Sequence, residues 1–64
     1  MDWIKFGQLL KQKRKTKGLK QEDIARLANL SITMISGLEN ATKKTNVETL
    51  ILISKVLDID ILEL

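Results

Sequence analysis

The stretch QEDIARLANLSITMISGLEN, from Gln21 to Asn40, decides the fold. Its first part has helical spacing over Gln21–Ala28, with Ile24 and Ala28 four residues apart and Ala25 small enough to let another helix approach. Asn29 then stops the helix, because Asn tolerates the left-handed conformation better than any residue except Gly. Leu30 is expected to pack inward. The Ser31 hydroxyl is placed to cap a second helix running from Ile32 to about Asn40, with Ile35 and Leu38 turned inward. Two helices joined by so tight a turn cannot lie antiparallel. They cross at a wide angle, as in a helix-turn-helix.

Fixing Ile35 on the core and stepping about 100° per residue puts Ser31 and Leu38 on the inner face. Thr33, Ser36, Gly37 and Asn40 fall outside, with Ile32 at the leading edge. A short outer face of mostly small residues suits a helix that enters the major groove of B-DNA. An ordinary helical hairpin in a small bundle satisfies the same spacing.

Working outward, Asp2 is positioned to cap a helix from Trp3 to about Lys17. In it Phe6, Leu10 and Arg14 form one row, and Gly18 ends it. Lys20 stands where a Ser or Thr cap would help the helix that starts at Gln21, an omission worth about 1 kcal/mol. Glu22 and Asp23 offset this at the positive end of the helix dipole. Asn46 is placed to cap a fourth helix, Val47 to Leu57, whose core row reads Val47, Leu50, Ile51, Ser54 and Leu57. The tail, residues 58–64, fits either one more helical turn or, from its alternation Asp58-Ile59-Asp60-Ile61, a short strand.

A chain of 64 residues is one domain with a small core. It contains no His and no Cys, which removes the usual neutral-pH base, the thiol nucleophile and the commonest metal ligands. Asp2, Asp58 and Asp60 have no partners that suggest catalysis. An enzyme is not expected, and neither is a cofactor. The N-terminus alternates apolar and charged residues and does not form the apolar block of a secretory signal. No apolar run approaches the roughly 20 residues that span a bilayer. These features predict a soluble cytoplasmic protein. The net charge is +3, and it is unevenly spread. Lys5, Lys11, Lys13, Arg14, Lys15, Lys17 and Lys20 face only Asp2 in the first 20 residues, which points either to an anionic partner or to a solvated helix face.

The row Leu19-x-Gln21-Glu22-Asp23-Ile24-Ala25-x-x-Ala28-x-Leu30-Ser31-x-x-x-Ile35-Ser36-x-Leu38-Glu39 resembles the Cro/repressor, or XRE, helix-turn-helix family. Phe6-Gly7-x-x-Leu10-x-x-x-Arg14-x-x-x-Gly18-Leu19 resembles its first helix and turn. Glu48-Thr49-Leu50 and Ile53-Ser54-x-x-Leu57 resemble its fourth helix. The resemblance implies an all-α, compact lambda-repressor-like domain of four to five helices. The helix-turn-helix lies at 21–40, and residues 58–64 form either a short helix or a dimer-forming strand. It implies that Gln21 binds a DNA phosphate, that Ile32, Thr33, Ser36 and Gly37 read bases, and that Arg14 and Glu39 form a structural ion pair. Lys43 and Lys44 are either phosphate contacts or loop solubilisers. Asn29 and Ala41 stand where the family commonly has Gly. The four base-reading positions lack Arg, Gln and Asn, which shifts specificity toward A·T-rich contacts, Asn40 or DNA shape.

Leu38-Glu39-Asn40, then Thr45-x-Val47-x-Thr49-Leu50 and the alternating tail, also resemble HipB-type antitoxins. That narrower resemblance implies a homodimer in which Ile59, Ile61, Leu62 and Leu64 pair across a two-fold axis, binding to a palindromic operator, repression of its own operon, and a kinase-like toxin as partner. In a monomer the same residues would simply cover the core. The alternative function is a protein-interaction module, an antitoxin or adaptor with weak DNA binding, whose exposed contacts would include Leu27 and Met34.

Overall fold

The computed structural model describes residues 1–64, which form four α-helices and one terminal turn of 3-10 helix, with no strand. Helix α1 spans Trp3–Thr16, α2 Gln21–Ala28, α3 Ile32–Glu39 and α4 Val47–Leu57; the 3-10 turn η1 covers Ile61–Glu63. Side-chain caps start three of the four helices. Asp2 Oδ1 accepts from Lys5 N at 2.9 Å, Ser31 Oγ from Met34 N at 3.0 Å, and Asn46 Oδ1 from Thr49 N at 2.8 Å. At α2 the capping residue Lys20 offers no acceptor. The Asp23 carboxylate reaches back to Lys20 N at 2.7 Å instead, the reciprocal half of a capping box.

All four helices end the same way. After α1, Leu19 N donates to Arg14 O at 3.0 Å and Gly18 N to Lys15 O at 3.0 Å, around Gly18 at φ +70°. The six-to-one bond recurs as Leu30 N to Ala25 O (2.8 Å), Thr42 N to Gly37 O (2.9 Å) and Ile59 N to Ser54 O (2.8 Å). This is the Schellman arrangement, which satisfies carbonyls that a helix end would otherwise leave bare. The left-handed residue at the other three ends is Asn29 (φ 54°), Ala41 (φ 58°) or Asp58 (φ 57°). Ala41 has no side-chain polar group to ease that conformation.

The core contains Phe6 and Leu10 of α1; Ile24, Ala25 and Ala28 of α2; Ile35 and Leu38 of α3; Leu50, Ile53 and Leu57 of α4; and Ile59. Helices α1 and α2 each pack on both α3 and α4. The rings of Trp3 and Phe6 meet edge to face, 6.0 Å apart. Gly7 permits the closest approach. A Cβ there would collide with the carbonyl oxygen of Leu38 and stand 2.8 Å from that of Glu39, so α1 rests directly on the end of α3. No helix is long and apolar enough to cross a membrane.

Several expectations need correction. In α4 the buried row is Leu50, Ile53, Ser54 and Leu57. Val47 is 67% exposed and Ile51 is also exposed, because α1 and α2 cover the Ile53 side of the helix. Ser31 does not face inward: it is an exposed cap. Met34 packs partly against the core and is not a free contact, whereas Leu27 is exposed. The tail takes the helical alternative. Asp60 Oδ1 accepts from Leu62 N at 3.0 Å and starts the 3-10 turn. Ile59 follows the left-handed Asp58, turns back into the core and is 6% exposed. Leu64 also packs against the core. Of the four tail residues expected in a dimer contact, only Ile61 and Leu62 remain open, with Leu62 94% exposed.

Candidate nucleic-acid interface

The outer side of α3 forms the wall of a shallow, solvent-open concavity of about 370 Å³. Gln21, Ile32, Thr33, Ser36, Gly37, Asn40, Thr42 and Lys43 line it. Three elements supply these groups: the first residue of α2, one face of α3, and the loop after it. Thr33 and Asn40 are exposed, Ile32 is half exposed and Ser36 is partly covered. The spacing 32, 33, 36, 37, 40 keeps these residues on one side because 3.6 residues complete a turn. Lys44 is exposed but lies outside the concavity.

Gly37 departs from its expected place as an open reading position, because it is buried. The stem of Lys43 covers it: a Cβ at Gly37 would stand 2.6 Å from both Cγ and Cδ of Lys43. The loop is fastened to the same residue. Thr42 N (2.9 Å), Lys43 N (3.2 Å) and Thr42 Oγ1 (3.3 Å) all donate to Gly37 O.

Behind the concavity lies the pair Arg14 and Glu39. Arg14 Nε donates to Glu39 Oε2 at 2.6 Å and Nη2 to Oε1 at 3.2 Å, while Nη1 donates to Leu19 O at 2.9 Å. The two side chains are 10% and 2% exposed. Glu39 Oε1 also accepts from Gln21 Nε2 at 3.1 Å, so Gln21 is tethered as well as solvent-facing. This third partner had no signal in the sequence, since Gln21 and Glu39 lie 18 residues apart on different helices. Thr42 was likewise missed, although its place just after the left-handed Ala41 turn marks it as a loop residue folded back on α3.

Two carboxylates near the helix ends have lowered pKa values. The Lys20 backbone N–H, with lesser help from Arg26, holds Asp23 below the ordinary 3.8. The ammonium of Lys17, 2.9 Å away, does the same for Asp58. Neither side chain lies in the concavity.

A helix-turn-helix family model matches residues 10–64. The restriction-modification controller protein C.AhdI from Aeromonas hydrophila has a similar structure, with a TM-score of 0.81 and 34% identity over 92% of this chain and 89% of that one. For the restriction-modification controller protein C.Esp1396I the TM-score is 0.80 and the identity 34%, over 95% and 80% of the two chains. The ImmF control region 10 kDa protein of Bacillus phage phi105 is 36% identical over 61 residues, 95% of this chain and 68% of the phage protein. With α2 and α3 set as described and the match running through α4 and the tail, the chain belongs to the XRE-type helix-turn-helix family of DNA-binding regulators.

Proposed function

We propose that the chain is a dimeric, sequence-specific DNA-binding repressor of its own operon, acting by occupancy and without covalent chemistry. The observation that carries this reading is the convergence of Gln21, Ile32, Thr33, Ser36, Asn40 and Lys43 on one open face of α3. With α3 in the major groove, Ile32 and the Thr33 methyl meet thymine methyls, while the Thr33 and Ser36 hydroxyls and the Asn40 amide meet base edges. Gln21 binds phosphate at the N-terminus of α2, where free N–H groups and the helix dipole favour an anion. Lys43 and Lys44 take phosphates beside it.

One helix touches only a few base pairs, so two copies related by a two-fold axis would read half-sites about 34 Å apart on a palindromic operator. Leu62 and Ile61, together with the exposed α4 residues Val47, Ile51 and Leu52, are apolar groups available for such a contact. The names of the relatives, controller proteins of restriction-modification systems and a protein of a phage control region, favour a regulator of this kind. A toxin-neutralising antitoxin with a kinase-like partner is the weaker reading, since the relatives above are named as controller and control-region proteins.

Selection of bound sites from random duplex DNA tests the proposal. A recovered palindrome with half-sites about one helical turn apart is the expected result. Binding without sequence preference, or with no loss of affinity as salt rises, would refute it.

A further inference from the structure

The recognition helix carries a glycine where a side chain would be expected to project, and that glycine is the one position on its outer face that is buried. The cover comes from the chain itself. Lys43 crosses α3 so closely that a Cβ on Gly37 would stand 2.6 Å from its Cγ and Cδ and 3.0 Å from its Cβ. These are the root of the side chain, not its free end. The Lys43 backbone is held there, because Lys43 N and Thr42 N are both bonded to Gly37 O and the Thr42 hydroxyl adds a third bond, so only a rotation of the stem off α3 would make room for a methyl. Gly37 has ordinary helical backbone rather than a positive φ, so its conformation does not require glycine. What requires glycine is the space.

We propose that Gly37 is a positioning residue. By having no side chain it seats the stem of Lys43 against α3, and so carries this loop cation onto the face that meets DNA. The inference rests on the reading of that face as the DNA contact. It changes the meaning of the glycine: instead of reading nothing, Gly37 lends its place on the recognition helix to a lysine six residues on. A flexible loop lysine loses side-chain entropy in finding a phosphate, and one laid along a helix has already lost part of that freedom.

The test is a double-mutant cycle on Gly37→Ala and Lys43→Ala, using the duplex recovered from the random library and fluorescence anisotropy at several salt concentrations. One phosphate contact contributes about 0.9 to the slope of log affinity against log salt, or about eightfold in affinity at 0.1 M salt. In a dimer each substitution removes two such contacts, so K43A is expected to lose about sixtyfold and to flatten the slope by about 1.8. G37A is expected to lose a similar factor, with its thermal midpoint unchanged or higher because Ala favours a helix. The double variant should bind no worse than K43A.

Multiplication of the two losses to about four-thousandfold would mean that a methyl at residue 37 meets DNA directly, and would overturn the proposal. So would wild-type binding by G37A. Unchanged binding by K43A, while the wild type still selects its site, would remove Lys43 from the interface and leave the DNA-binding reading standing. Failure of the wild type to select any site would remove both. Nuclear Overhauser contacts between Gly37 Hα and the Lys43 Cγ and Cδ protons are expected in the unmodified protein, and their absence would overturn the seat without any variant.

Discussion

Replacing Arg14 with Leu should remove a third or more of the stability of the fold. Arg14 provides two of the three hydrogen bonds to the Glu39 carboxylate, and the Glu39 side chain is only 2% exposed. R14L leaves that charge with a single neutral donor, Gln21 Nε2, in a site that water scarcely reaches. It also frees Leu19 O, a carbonyl beside the α1 cap. Stranding one partner of a buried ion pair costs about 3–5 kcal/mol. A chain of this length has a total stability of roughly 3–10 kcal/mol, taking about 0.05–0.15 kcal/mol per residue. The loss is therefore a third of the total at the least and all of it at the most. At about 4–8 °C per kcal/mol for a domain of this size, the thermal midpoint should fall by at least about 12 °C. The assay is urea denaturation followed by far-ultraviolet circular dichroism, with R14L, Glu39→Leu and the double variant measured together. Removing both charges leaves no stranded ion, so the double variant should recover much of the R14L loss. An R14L variant within about 1 kcal/mol of wild type, or a double variant that loses the sum of the two single effects, would refute the reasoning.

Ser36→Glu should abolish operator binding in a gel-shift assay while leaving the helical spectrum unchanged, because a carboxylate in the concavity opposes phosphate; retained affinity would dismiss this face as the contact. Ala41→Gly should stabilise the fold by about 1 kcal/mol, the relief of a left-handed alanine less the extra chain entropy of glycine, and a lower urea midpoint would contradict the account of that cap. Leu62→Asp should shift sedimentation toward monomer without changing thermal stability, since Leu62 touches little of its own core; an unaltered profile would exclude the tail from the interface. Asp58 is held below its ordinary pKa of 3.8 by Lys17, so the stability it adds is fully present above pH 3.8 and fades as the pH falls through the lower folded value. Asp58→Asn should therefore make the urea midpoint less sensitive to pH below about 4, and equal slopes in the two proteins would count against the bridge.

The boundaries of α2 and α3 were legible because local chemistry sets them: Asn29 accepts the left-handed turn that ends α2, and Ser31 caps the start of α3. The face of α4 was not legible. Leu50-Ile51-Leu52-Ile53 is apolar at every step, so periodicity cannot choose a side, and α1 and α2 make the choice. The tail stayed open between helix and strand for a related reason. Its alternation fits a strand, but Asp58 takes the left-handed turn and sends Ile59 inward. At the candidate site the one-sided set on α3 followed from helical geometry. The bond from Gln21 to Glu39 and the cover over Gly37 did not, since both join residues from different elements whose approach depends on the packed fold.

The bond from Gln21 to Glu39 places an acid directly behind a surface proposed to meet a polyanion. Arg14 screens that acid, so the guanidinium does more than hold two helices together: it keeps a negative potential from leaking through the α2 terminus toward the phosphates. Weakening it would tilt the local field against the ligand even in molecules that remain folded. On the proposed contact, folding stability and nucleic-acid affinity share one charge, and a substitution at position 14 should lower both.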